Sequence, residues 1–334
     1  MKIIFMGTPE FGAIILEKLA QSEYEPVLVI TAPDKPVGRK QIITPSPVKV
    51  IAQKYNISVE QPEKIENLKS KAKSVRSSSS PCDSIIENLK PDLIIVAAYG
   101  KILPEEILEI PKYGCLNVHP SLLPKYRGPS PIQSVILNGD KKTGVTIILM
   151  DEKIDHGPIL NRRTLEIGEN ETGESLINKL ADLGANLLME TVTKWIKKII
   201  KPEPQDETEA TYTRILRKED GMINWKKPAE DLEKEIRAYS PWPGSYTFWE
   251  KSGKLIKIEV LKARVLKSSD GIRYPIGKVL VAPQNEVCVQ CGKVFSEEGG
   301  GFLVIERLQL EGKKEIDSED LLRGYPNFVG TILG

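Results

Sequence analysis

Two histidines in 334 residues leave this chain almost without imidazole, and four cysteines and 6% aromatic residues are nearly as sparing. Scarce histidine argues against a histidine-built metal centre. The cysteines are Cys82, Cys115, Cys288 and Cys291, and the last two form the close pair "CVQC". No further Cys or His pair stands at zinc-ligand spacing from it. A redox pair ordinarily opens a helix after a strand. "EVCVQCG" instead reads as a valine-rich strand that sends Cys288 and Cys291 to opposite faces. Long apolar runs are missing as well, since "LIIVAA" at 93–98 is far short of a bilayer span. "MKIIFMG" lacks the apolar stretch and cleavage site of a secretory leader, so a cytoplasmic protein is expected. Nor is one sign of charge in excess: the net charge is +1, without the global basic footprint that announces nucleic acid. The local basic patches, "KWIKKIIK" ending at Lys201 and the stretch 251–267, read as solvated faces.

What is present is a regular alternation. "KIIFM" (2–6), "VLVIT" (27–31), "DLIIVAA" (92–98), "GCLNVH" (114–119) and "GVTIILM" (144–150) read as strands, with helical segments such as "PEFGAIILEKLAQS" between most of them. That order predicts an α/β domain with a parallel, doubly wound sheet. A long amphipathic helix is expected over 175–200. "KPEPQDETE" then reads as a linker, 201–209, because two prolines and a run of acids break the pattern. Beyond it, one helical piece, "PAEDLEKEIRAY", precedes short strands between Gly, Pro and Asn turns. That spacing predicts a small β-barrel or related all-β module. The expected division is therefore 1–200, linker 201–209, and 210–334. The serine run at 77–80 reads as a loop.

"FMGTPEFG" invites a dinucleotide reading, with Asp34 as ribose-binding acid. Its glycines are spaced G-x-x-x-x-G rather than G-x-G-x-x-G, and no Lys-Ser/Thr completes a phosphate loop.

More informative is "GCLNVHPSLLPKYRG" (114–128). Residues i and i+2 of a strand share a face. Asn117 and His119 should project together at the strand's carboxyl end, since Pro120 cannot continue the ladder. In open parallel sheets that end opens on the ligand crevice. Asp155, on the turn after the following strand, is within reach of the same crevice. Such a trio can donate to a developing oxyanion, move a proton and orient the imidazole. The plain alternative is that His119 caps a turn and Asp155 merely makes one. Cys115 shares the Asn117–His119 face on a regular strand. His156, on a Gly-Pro turn, is expected to be exposed.

"NVHPSLLPKYRG" followed by "IDHGPIL" resembles the formyltetrahydrofolate-dependent formyltransferases. "IFMGTPEFG", "APDKPVGRK", "PDLIIVAAYGKILP", "GPSPIQSVILNGDKKTGVTI", "YTRILRKEDGMINW" and "IRAYSPWPG" extend the likeness along nearly the whole chain, toward the branch that acts on methionyl-tRNA. The site motif alone specifies only the superfamily, and a sugar-nucleotide formyltransferase is a relative with similar domains. The resemblance implies a Rossmann-like N-terminal domain and an OB-like, tRNA-binding C-terminal barrel. It implies transfer of the formyl group of 10-formyltetrahydrofolate to methionine on initiator Met-tRNA, for translation initiation, without a metal. It carries Asn117, His119 and Asp155 onto the catalytic positions. Tyr99, Gly100, Ile102 and Leu103, with Ser121, Leu122, Leu123 and Pro124, fall on the folate cradle. Lys35, Arg39 and Lys40 fall on a loop that enters the tRNA acceptor arm. Only Lys40 follows Arg39, where the family loop often carries further basic residues. The stretches near 71–82 and 291–301 read as insertions. A monomer is expected. Two other classes stay open on the residues alone: a non-catalytic folate- or RNA-binding module, and a dehydrogenase.

Overall fold

The computed structural model describes residues 1–38, 40–63, 85–267, 274–292 and 301–334. Arg39, Cys82, the serine run at 77–80 and 293–300 lie outside the described residues. The chain divides into two compact units. The first comprises 1–131, 141–167 and 176–214, and the second 132–140, 168–175 and 215–334.

In the first unit a seven-stranded sheet runs in the order β5-β2-β1-β6-β7-β8-β9. These are β1 (Ile3–Gly7), β2 (Leu28–Ile30), β5 (Ser58–Glu60), β6 (Leu93–Ala97), β7 (Cys115–His119), β8 (Lys142–Leu149) and β9 (Ile159–Glu166). β1, β2 and β6 are buried at every position, which is why they read as unbroken apolar runs rather than alternating ones. Helix α1 (Glu10–Ala20) follows β1. Helix α2 (Pro47–Lys54) starts on Ser46, whose hydroxyl accepts from the Lys49 N–H at 3.1 Å, with proline at its first position. A short exposed hairpin, β3 (Lys35–Val37) with β4 (Ile42–Thr44), emerges after β2.

The expectation of a parallel sheet holds for β5, β2, β1, β6 and β7, and fails for the last two strands: β8 is antiparallel to β7, and β9 to β8. The helix between β7 and β8, α3 (Pro131–Leu137), has seven residues, a rise of about 10 Å. β8 enters the sheet at the end where β7 stops, Thr146 pairing with His119, and runs back until Leu149 lies beside Leu116, so the connection needs no crossover and the pair is antiparallel.

The second unit carries an antiparallel, barrel-like sheet in the order β10-β11-β14-β13-β12, with β15 on β14. The strands are β10 (Ser245–Lys251), β11 (Lys254–Lys267), β12 (Val279–Ala282), β13 (Glu286–Gln290), β14 (Gly301–Leu310) and β15 (Glu315–Asp317). Irregularities between Val260 and Ala263 break the β11–β14 register, a device that bends long strands. Trp249 anchors the core, edge-on to Phe328 with centroids 4.9 Å apart. Helix α4 (Ala229–Ala238) buries Leu232 and Ile236 there. Cys288 and Cys291 belong to two separate apolar clusters, as opposite strand faces require. Among the described residues no group of three or more His, Cys, Asp or Glu could hold a metal, and no helix is long and apolar enough to cross a membrane.

Candidate active site

β7 delivers Asn117 half-buried and His119 only 4% exposed, two residues apart on one face. Asp155 arrives by a route unlike the expected one. Because β8 is antiparallel, its carboxyl end lies at Leu116, away from His119, and the loop 150–158 folds back up to bring the carboxylate in. Two backbone bonds clamp that loop, Met150 N–H to Cys115 O at 2.8 Å and Leu149 N–H to Pro158 O at 3.0 Å. A Cβ on Gly157 would stand 1.9 Å from Leu149 O, so this close approach requires glycine. Asp155 itself has φ 49°, left-handed backbone that asparagine and aspartate tolerate best.

The three side chains converge. Asp155 Oδ1 accepts from Asn117 Nδ2 at 3.1 Å and lies 3.5 Å from His119 Nδ1. Asp155 Oδ2 accepts from the Gly128 N–H at 2.7 Å. His119 Nε2 is 3.0 Å from Tyr126 O. A carbonyl has no hydrogen to give, so Nε2 carries the proton and Nδ1 is the nitrogen left to exchange one.

The residues that hold this cluster were not singled out in the sequence. Tyr126, Arg127 and Gly128 hold a different piece each: the imidazole, the segment 203–213 and the carboxylate. The Arg127 side chain is fully buried, and its guanidinium spends every donor. Nε and Nη2 donate to Gln205 Oε1 (3.2 and 2.9 Å), Nη1 and Nη2 to the two Glu207 carboxylate oxygens (3.0 and 2.6 Å), and Nη1 also to Tyr212 Oη (3.1 Å). The hydrogen bond from Arg127 holds the Glu207 carboxyl below its ordinary range, and Glu207 in turn raises the guanidinium. Glu203 and Ile159 exchange backbone hydrogen bonds at 2.8 and 2.9 Å, and Gln205 Nε2 donates to the carbonyls of Asp155 and Gly157, both at 2.8 Å. The stretch 201–209, expected as a linker, is thus tied to the site along much of its length.

His156 is half-buried rather than exposed. Its Nδ1 lies 2.5 Å from Asp151 Oδ2 and its Nε2 3.5 Å from Glu207 Oε1. Neither ring nitrogen is paired with the Asn117–His119–Asp155 cluster. Cys115 is buried among Ile94, Ile107 and their neighbours, and burial pushes its thiol up to about 12. Such a group supplies no thiolate nucleophile at neutral pH.

At the end of β6 the loop 98–103 carries Ala98 (φ 51°) and Gly100 (φ 78°) in left-handed conformation. Tyr99 is 4% exposed, its hydroxyl has no hydrogen-bond partner among the described residues, and burial raises it to about 12. Leu103 is buried and Ile102 exposed. Of the four residues 121–124, Ser121 and Leu123 are buried and engaged within the protein. The Ser121 hydroxyl donates to Lys125 O at 2.7 Å, its carbonyl accepts from Thr146 Oγ1 at 2.7 Å, and the Leu123 N–H donates to Thr146 Oγ1 at 3.1 Å. Leu122 and Pro124 are half-buried. Lys35 and Lys40 are exposed on the β3–β4 hairpin. Asp34 is held by Lys49 Nζ at 2.7 Å and Gln61 Nε2 at 2.8 Å, and the Lys49 hydrogen bond lowers its carboxyl, which leaves a ribose-binding role without support.

With this geometry in place, the chain's relatives are informative. Residues 1–192 match the Formyl transferase family, and residues 215–326 match Formyl transferase, C-terminal domain. The methionyl-tRNA formyltransferase of Caldicellulosiruptor saccharolyticus is 41% identical over 334 residues, covering 100% of each chain. That of Citrifermentans bemidjiense is 40% identical over 334 residues, covering 100% of this chain and 96% of its own. The fold is shared with an N-formyltransferase from Helicobacter canadensis, solved with folinic acid and dTDP-3-aminofucose. It matches at a TM-score of 0.60 and 19% identity, over 91% of this chain and 99% of that one. Identity of this degree across both domains places the chain in the methionyl-tRNA formyltransferase family.

Proposed function

We propose that this protein transfers the formyl group of 10-formyltetrahydrofolate to the α-amino group of methionine on initiator Met-tRNA, yielding formylmethionyl-tRNA. The observation that carries the reading is the convergence of Asn117, His119 and Asp155 on one another at the end of β7. In this reading residues 1–200 form the catalytic domain and 210–334 an OB-like module for the tRNA. The 201–209 stretch joins them and also buttresses the site. Lys35, Arg39 and Lys40 serve the acceptor arm.

The loop 98–103 fits a folate. Among the described residues, the buried Tyr99 hydroxyl has no hydrogen-bond partner and nothing fills the space where a side chain on Gly100 would stand. Tyr99, Gly100, Ile102 and Leu103, with Leu122 and Pro124, would hold it, while Ser121 and Leu123 shape the turn. The bound folate supplies the formyl carbon that the amine attacks.

The chain's own groups do the rest. One Asn117 N–H donates to Asp155, which leaves the other for the oxygen on which charge develops. His119, with Nε2–H pinned on Tyr126 O, donates to that oxygen from Nδ1–H, while Asp155 passes the proton that the attacking amine loses, through water, to N10 of the folate, which leaves as its bond to the formyl carbon breaks. Asp155 supports positive charge on the imidazole from 3.5 Å. Preorganised donors of this kind are worth roughly 3–4 kcal/mol each in the transition state. No protein acyl intermediate is required, since Cys115 is held as a buried thiol.

The test is incubation of the purified protein with 10-formyltetrahydrofolate and Met-tRNA. Formyl-methionine released from the tRNA is the expected product. Tight folate and tRNA binding with no turnover would instead establish a non-catalytic binding module.

A further inference from the structure

We propose that Gln205 is a positioning residue for Asp155, acting from outside the catalytic trio through the main chain of the loop that carries the carboxylate. The proposal rests on the reading above for the reaction it serves.

Asp155 sits in left-handed backbone at φ 49°. A non-glycine residue there is strained and persists only where the surroundings over-determine it. Its own loop supplies little packing, since Glu152, Lys153 and Ile154 are exposed. The hold comes from Gln205. Its two amide hydrogens reach the Asp155 and Gly157 carbonyls, one residue on either side of His156, both at 2.8 Å. Its oxygen accepts twice from Arg127, at 3.2 and 2.9 Å. An amide offers two donors and two lone pairs, and all four are used. Glutamate would keep the Arg127 contacts and lose both donors; asparagine would fall one methylene short.

The Arg127 link closes a ring. Gly128, the next residue, donates its N–H to Asp155 Oδ2 at 2.7 Å. The carboxylate and the main chain of Asp155 therefore both hang from Arg127, one through the peptide that follows it and one through Gln205. Releasing either arm lets the carboxylate drift from Asn117 and His119. Catalytic groups displaced by about 1 Å commonly lose around a hundredfold in rate.

Gln205→Met and Gln205→Glu test this, the second keeping the Arg127 contacts should the first fold poorly. Because the chain has only two histidines, 15N-histidine labelling in a His156→Ala background leaves His119 as the sole ring to observe. The expected result is a displaced His119 ring-nitrogen resonance in both folded variants. In the formylation assay kcat should fall roughly tenfold to a hundredfold, with KM for both substrates within about twofold. In an Asp155→Asn background Gln205→Met should add less than about twofold, because coupled groups are not additive. An unmoved His119 resonance, a loss confined to KM, or an undiminished effect without the carboxylate would overturn the proposal. A wild-type protein that transfers no formyl group would overturn the functional reading instead, and the resonance would still decide the role of Gln205.

Discussion

Replacing Asp155 with asparagine changes one atom for another of nearly equal size, so its effects are electrostatic. The carboxylate faces donors on both sides: Asn117 Nδ2 at 3.1 Å and the Gly128 N–H at 2.7 Å. A carboxamide has one oxygen for the two. Whichever way it turns, its NH2 meets a donor, and one charge-assisted hydrogen bond is lost. The folded state should lose about 1–3 kcal/mol. The transition state loses more. At 3.5 Å from His119 Nδ1 a unit charge pair is worth roughly 5 kcal/mol in an effective dielectric of about 20, an upper figure at this partly solvated site. Taking about 3–4 kcal/mol, and about 1.4 kcal/mol per tenfold, kcat should fall by two to three orders of magnitude. The assay is single-turnover formylation with both substrates saturating, beside a thermal melt that shows the variant folded at the assay temperature. A folded Asp155→Asn protein that keeps more than a tenth of wild-type kcat refutes the reasoning.

His119→Ala and Asn117→Ala should each cost on the order of a hundredfold or more in turnover, while His156→Ala, whose ring pairs with Asp151 away from the trio, should be mild; the reverse order would mean the wrong imidazole has been assigned. The Cys115 thiol, pushed up to about 12 from 9.0, stays protonated in the folded chain at a pH where the unfolded chain ionises, so stability falls as pH rises above about 9, by at most about 1.4 kcal/mol per pH unit. Denaturant titrations from pH 8.5 to 10.5 should show that limb flattened in Cys115→Ala, and identical slopes would contradict the assignment. Arg39→Ala should depress formylation of Met-tRNA well before folate affinity and lower the logarithmic salt slope of tRNA binding by somewhat under one unit. Normal formylation with an unchanged slope would leave recognition to the second unit.

Much of the first unit was legible because strands buried on both faces must be written as apolar runs, and β1, β2 and β6 are. Asn117 and His119 were legible for an equally local reason, the two-residue period of a strand. The direction of β8 was not. Its apolar pattern is the same in either direction, and helix length does not decide it, since β6 and β7 pair in parallel across a connection whose helix, Glu105–Leu108, has only four residues. The supports of the site were hidden more deeply. "KPEPQDETE" has the composition of a linker, yet it is ordered by donors and acceptors from residues far away in sequence, which leave no periodicity. The available trace was Gln205 and Glu207 two positions apart in an extended stretch, where both reach one guanidinium. His156 looked exposed because it stands on a Gly-Pro turn, and nothing in its local sequence marks Asp151 and the distant Glu207 as its partners.

The consecutive placement of Tyr126, Arg127 and Gly128 constrains how this chain can drift. One offers its carbonyl, the next its side chain and the third its N–H, to partners on β7, on 205–212 and on the 150–158 loop. A single residue inserted between His119 and Tyr126 would push all three out of step at once. No single further substitution would restore them, because two of the groups belong to the backbone. Substitutions can be repaired one at a time; a change of length here cannot. Descendants of this sequence should therefore vary freely in the size of their surface loops while keeping the number of residues from His119 to Gly128 fixed.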